Sequence, residues 1–165
     1  MFGEKGSASS DVTGAHAITI YGLGHQAWND WILGFPDRAR LHINKERELA
    51  EETQNPFNLV HYCGFAGFLY QCRGDIDTVI DVSSEKTRIS EDNAFPLNLY
   101  WAQMLRGWVI SEQEESEKGL QLLEEGLAVW KAVGMVVFIP YWNSLICELL
   151  IRLSQLEKSL EVSKT

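Results

Sequence analysis

The stretch with the most chemical promise is 17–27. Ala17-Ile18-Thr19-Ile20-Tyr21 reads as a β-strand, and Gly22-Leu23-Gly24-His25-Gln26-Ala27 follows it as a GxGxxA turn. In a dinucleotide-binding fingerprint such glycines let a pyrophosphate reach a helix N-terminus, and an acidic residue about twenty positions on takes the ribose. Here the expected second strand gives way to Pro36-Asp37-Arg38-Ala39, which reads as a helix start. A dinucleotide-binding enzyme therefore stays only as a weaker alternative. His16, His25, His42 and His61 are scattered, with no HExxH or paired spacing. Cys63 and Cys72 lie nine positions apart, on opposite faces of a helix, so neither a disulfide nor a zinc pair is natural. With Cys147 they read as buried free thiols of a reducing compartment. No Ser/His/Asp or Cys/His set can be assembled. No catalytic, cofactor-binding or metal-ligating residue is assigned, and the chain is expected not to be an enzyme.

The remaining constellation is aromatic, and its chemistry is contact. Forty-residue steps align Tyr21, His61, Trp101 and Tyr141 in one row. Trp28, Phe68, Trp108 and Glu148 form a second row, and Trp31, Gln71, Ser111 and Ile151 a third. Aromatic side chains are common anchors of protein interfaces. Tyr21, Trp28, His61, Phe68, Trp101, Trp108 and Tyr141 are therefore the candidate partner-binding groove. The bland counter-reading is that the same rings simply pack between helices.

The elements that must position these rows follow from the same period. Gly34-Phe35-Pro36-Asp37-Arg38-Ala39, Gly74-Asp75-Ile76-Asp77-Thr78-Val79 and Glu114-Glu115-Ser116-Glu117-Lys118-Gly119 stand forty apart, with a weaker copy at Ser154-Gln155-Leu156-Glu157-Lys158-Ser159. Ala27, Gly67, Gly107 and Cys147 recur in the same register, small enough to let helices approach closely. Such a period marks a helical repeat array. Asn55-Pro56, Phe95-Pro96 and Ile139-Pro140 supply helix starts. The expected pairs are roughly 16–33 with 36–53, 56–73 with 76–92, 96–113 with 116–133, and 140–153 with 155–163. Leu120, Leu123, Leu127, Trp130 and Val133 give 116–133 an amphipathic stripe ended by Gly134. The 76–92 segment, diluted by Ser83, Ser84 and Thr87, is the weakest helix. Asp30 shares the register of Tyr70, Ile110 and Leu150, and because a lone buried carboxylate is costly it is expected at an open, solvent-facing edge.

Apolar residues make up 45% of the 165, which argues for a folded core rather than disorder. The net charge of −9 argues against nucleic acid or an anionic membrane as partner. Glu46, Glu48, Glu51, Glu52 and Glu112, Glu114, Glu115, Glu117 read as solvated faces and turns, or more sharply as an acidic rim that selects a basic partner. No run of eighteen apolar residues is present, so nothing is expected to span a membrane. Residues 1–15 read as a flexible, Gly/Ser-rich lead-in with no secretory signal, and 16–165 as the repeat domain.

The placement of Ala27, Gly34 and Ala39 resembles the tetratricopeptide repeat, stretched to forty residues by a longer second helix. Three stretches are similar to the C-terminal repeat region of bacterial multidomain signalling ATPases and adenylate cyclases. They are Trp28-Asn29-Asp30-Trp31-Ile32-Leu33-Gly34-Phe35-Pro36-Asp37-Arg38-Ala39, Phe95-Pro96 through Leu105-Arg106-Gly107-Trp108, and Glu125-Gly126-Leu127-Ala128-Val129-Trp130-Lys131-Ala132-Val133-Gly134. Relatives of that kind carry a cyclase or DNA-binding domain and an ATPase module before the repeats. Neither a cyclase nor a P-loop is present here, and Asn29-Asp30 replaces apolar residues, so no catalytic role carries over. The resemblance implies a cytoplasmic sensing or docking module.

Together these readings give an all-α solenoid of about four helix pairs with an aromatic concave face. Its expected role is protein or peptide recognition, with self-pairing through a solenoid end. The alternative is a small-molecule sensor whose groove closes over an apolar effector, for which a sealed pocket lined by Trp28, Phe68 and Trp108 is the expected mark.

Overall fold

Successive turns fall twenty residues apart. Gly34, Gln54, Gly74, Ala94, Gly134 and Ser154 all have positive φ, between 52° and 84°. Each is the left-handed residue that stops a helix, and at all but Gln54 the amide after it reaches back to a carbonyl of the last turn. Phe35 N donates to Asp30 O at 2.7 Å, Phe95 N to Ser90 O at 2.9 Å, and Gln155 N to Leu150 O at 2.8 Å. Helices and turns of mostly two or three residues alternate at this spacing, and two such units make the forty-residue repeat. Three of the six stop positions are not glycine and carry the left-handed cost of a side chain. Ala94→Gly should therefore raise stability by about 0.5–1 kcal/mol, read from urea unfolding, because strain relief exceeds the entropy that glycine adds to the unfolded chain.

The computed structural model describes residues 7–113 and 115–164, with the side chains of 17–113, 115–155 and 158–164. Eight helices run in order among them: α1 (Ser7–Ile32), α2 (Pro36–Thr53), α3 (Pro56–Cys72), α4 (Ile76–Asp92), α5 (Pro96–Glu112), α6 (Ser116–Ala132), α7 (Ile139–Arg152) and α8 (Leu156–Val162). No strand occurs among the described residues. The fold is an all-α, solenoid-like array of paired helices. The stretch 17–27, which suggests a strand and a nucleotide turn, lies inside α1. The lead-in expected over 1–15 is helical from Ser7 onward, and 1–6 lie outside the described residues. No proline interrupts 7–16, and the one interior glycine, Gly14, costs a helix only about 1 kcal/mol.

Tertiary packing completes what local propensity leaves weak. α4 is a full helix because Val79, Val82 and Ile89 are buried. Asp75 caps it by accepting from Thr78 N at 3.2 Å, and Ser83 and Thr87 bond back to carbonyls of their own helix. Ala39, Val79, Gly119 and Ser159, forty apart after each turn, are all buried. α1 packs on α3 and α3 on α5, whereas α2, α4 and α6 pack on the odd helices and not on one another. α1, α3 and α5 therefore form one continuous layer, the inner side of the array.

The array departs from its period once. Six residues, 133–138, separate α6 from α7, so α7 starts at Ile139 where the twenty-residue rule would place 136. The irregular segment lies against this layer, with Phe138 touching α1, α3 and α5.

Candidate functional site

Phe138 is the centre of the inner face. Its ring centroid lies 4.8 Å from that of Phe68, 5.7 Å from Phe65, 6.2 Å from Trp28 and 6.2 Å from Trp101. Just beyond it Tyr141 stacks edge-on to Trp28 at 5.0 Å and to Phe68 at 4.9 Å. The Tyr141 hydroxyl donates to Gln71 Oε1 at 2.7 Å, and burial pushes that phenol well above its ordinary pKa. The loop and the start of α7 thus fill the upper part of the inner side from within the chain.

Six of the seven expected groove residues are joined through ring contacts, in a different pattern from the rows, while Trp108 is buried in the core without a ring contact to them. Tyr21 and His61 pair at 4.4 Å, and Trp28 and Phe68 at 5.3 Å, as the forty-residue steps imply. Trp101 pairs instead with Phe68 at 5.0 Å and Trp130 at 5.4 Å, and Tyr141 reaches α1 and α3. Phe68, Trp101 and Trp108 are buried, so their area is already spent on the core. Trp28 and Phe68 pack directly on each other. Phe65 and Phe138 are the residues the row pattern misses. Phe65 is one helical turn beyond His61, but Phe138 sits in the segment that breaks the period.

A cavity of about 380 Å³ remains, open on one side and bounded by His25, Phe57, Val60, His61, Phe65, Leu97, Asn98, Trp101, Trp130, Met135, Val137 and Phe138. Its wall is mostly apolar, and His61, Trp101 and the loop close it from three directions. A volume of this size suits a small organic molecule rather than a helix or an extended peptide.

Beneath the cavity runs a buried polar chain that the acidic-cluster reading hides. Glu46, expected on a solvated face, is wholly buried, as is Lys86. They stand forty apart, in register with the buried Gly126. His61 Nδ1 lies 2.7 Å from Glu46 Oε1. Lys86 Nζ donates to Val60 O at 2.5 Å and to Asn98 Oδ1 at 2.7 Å, and sits 4.3 Å over the Trp101 ring. Burial raises the Glu46 carboxyl to about 9 against the opposing pull of Lys86. Burial, then Lys86 and His25, push His61 down to about 3, and burial brings Lys86 down to about 7. Glu46 and His61 are thus neutral near pH 7. Gly24 is needed here for packing, since a Cβ would come 2.8 Å from the Phe65 ring and 2.9 Å from Glu46 Oε2.

Asp30 is buried rather than at an open edge. Arg38 Nη2 lies 3.0 Å from its Oδ1, and His42 Nδ1 is at ion-pair distance, 2.9 Å, from Oδ2 without the alignment of a hydrogen bond. The Arg38 guanidinium and the His42 ring, one turn apart on α2, offset the burial that sequence reasoning treats as prohibitive. Cys63 is buried and Cys72 and Cys147 are half-buried, all as free thiols. Among the described residues no group of three or more His, Cys, Asp or Glu side chains could hold a metal ion, and no helix is long and apolar enough to cross a membrane.

No family model matches the chain, and neither a curated protein nor a solved structure matches it.

Proposed function

We propose that the chain is a binding module, not a catalyst, and that it holds a small apolar molecule in the inner-face cavity. The observation that carries this reading is the enclosure of about 380 Å³ by aromatic and aliphatic side chains, while the rest of the inner side is filled by Phe138 and Tyr141. Ligands of drug size bury most of their surface in such clefts. The resemblance to repeat regions of signalling ATPases puts the module in a sensing context, where an effector in the cavity would change how the α6–α7 segment sits.

The test is direct. N-phenyl-1-naphthylamine, a neutral apolar fluorophore, should brighten on adding the protein and saturate at one molecule per chain. Leu97→Trp, which puts bulk into the cavity wall, should weaken that binding at least tenfold without lowering the unfolding temperature. Absence of saturable binding by the wild type would remove the reading.

A second reading, protein docking, is favoured by the cavity rim. Val136 and Val137 are 65% and 69% exposed on the segment that closes the cavity. A partner's apolar side chain could enter beside them, and Val136→Asp, outside the cavity wall, would then abolish capture of that partner while leaving the fluorophore bound.

A further inference from the structure

The cavity's polar atoms specify more than apolar fit. Asn98 has a fixed orientation, because its Oδ1 accepts from Lys86 Nζ and the Nδ2 amide is left with no hydrogen bond among the described residues. His61 is fixed in the same way by Glu46, and its Nε2 makes no hydrogen bond either. Glu46 Oε2 is buried without a partner. A buried hydroxyl without an acceptor costs more than a bare carbonyl oxygen, so the proton of neutral Glu46 belongs on Oε1, donated to His61 Nδ1. His61 then carries its own proton on Nε2. Two unused donors, one from α3 and one from α5, therefore belong to side chains of the cavity wall.

The charged group nearest the free amide is basic. Lys86 lies directly behind Asn98, bonded to the same amide group whose other end is free. The acid closest to it, Glu46, is engaged with His61. Cys63 and Glu85 complete the titratable groups around it, and the Cys63 thiol is pushed up to about 12, chiefly by burial, so that it stays neutral. Unpaired donors backed by an amine that a bound anion would hold protonated are the arrangement that favours an anionic acceptor.

Resting on the ligand-binding reading above, we infer that the occupant is an apolar carboxylic acid bound as its carboxylate, its oxygens held by Asn98 Nδ2 and His61 Nε2 and its hydrocarbon part lying against Phe65, Trp101 and Phe138. The inner face thereby selects for a headgroup as well as a tail.

Competition against bound N-phenyl-1-naphthylamine tests this separately from the reading it rests on. Decanoate should displace the fluorophore at least tenfold more tightly than 2-undecanone, a neutral molecule of similar length. Asn98→Asp keeps an acceptor for Lys86 but replaces the free amide by a second carboxylate oxygen. It should erase the preference for decanoate, read as the ratio of the two competitors' displacement constants on the same variant. Equal displacement by the two competitors, measured on the wild type and so independent of any folding defect, would overturn the carboxylate assignment while leaving the cavity a binding site. A preference that survives in Asn98→Asp would overturn it as well. Failure of the fluorophore itself to bind would instead remove the underlying reading, and this assignment with it.

Discussion

Valine at Gly119 should destabilise the chain by about 3 kcal/mol or more, whereas alanine at Gly22 should stabilise it by about 1 kcal/mol. Both glycines lie inside helices, and only their surroundings differ. A Cβ on Gly119 would fall 2.5 Å from Gly107 O, 2.7 Å from Ser111 Cβ and 2.9 Å from Ser111 N. The approach is mutual, since a Cβ on Gly107 would meet Gly119 O at 2.9 Å. Two of the three atoms around Gly119 are backbone, so no rotamer change makes room and α5 must move from α6. Met104, Leu120 and Leu123 are buried at the same helix pair and would lose contact together. Gly22 has nothing within 4 Å of its missing Cβ, so alanine there gains helix propensity at no steric cost. Urea unfolding of the two variants beside wild type reads both signs. A Gly119→Val chain as stable as wild type would mean that the close α5–α6 contact is not what holds the repeats together.

How much of this was legible follows from what has a period. The turns, the small residues after them and the stacking of Tyr21 on His61 and of Trp28 on Phe68 all repeat with the chain and can be read from spacing alone. The inner-face cavity cannot, because it exists only where the period fails. The extra residues before Ile139 replace a helical turn by an irregular segment, and Phe138 acquires its neighbours from α1, α3 and α5 at once. No pattern within 133–138 announces that. Charge misleads for a related reason. Glu46 sits among Glu48, Glu51 and Glu52, which face solvent, and one position of the helical face separates burial from exposure. Its register with Lys86 and Gly126 is the one signal that distinguishes it, and a charge in register with a buried glycine is informative only once the inward direction of that register is known. Asp30 shows the same limit in a single residue: its partners Arg38 and His42 are a turn away on the next helix, visible in sequence but without meaning until the hairpin closes.

The buried pair gives the second large effect, and its sign depends on pH. Lys86→Met removes the donor to Val60 O and Asn98 Oδ1 and the cation over Trp101, and should cost about 3 kcal/mol at pH 7. The same variant should then lose further stability as pH rises from 7 to 9, where wild type is held level by two opposing linkages. Lys86 has a folded pKa of about 7 against its ordinary 10.5, so unfolding takes up a proton above pH 7 and stability climbs with pH. Glu46 has a folded pKa of about 9 against its ordinary 4.5, so unfolding releases a proton between those values and stability falls with pH. Between pH 7 and 9 the two slopes cancel. Without Lys86 only the Glu46 slope remains, about 1.4 kcal/mol per pH unit at most, or 2–3 kcal/mol across the window. Removing the cation that lowers the Glu46 pKa also widens that window upward. Glu46→Gln is the mirror case, in which the Lys86 slope stands alone and stability should rise over the same range. Thermal unfolding at pH 7 and 9 for both variants decides the matter. Opposite slopes require that the carboxyl is neutral and the amine easily discharged in the folded chain, and the neutral carboxyl is what leaves the His61 proton on Nε2 for a ligand. Two flat profiles would mean that Glu46 and Lys86 are instead a fully ionised pair, and the donors on the cavity wall would have to be reassigned.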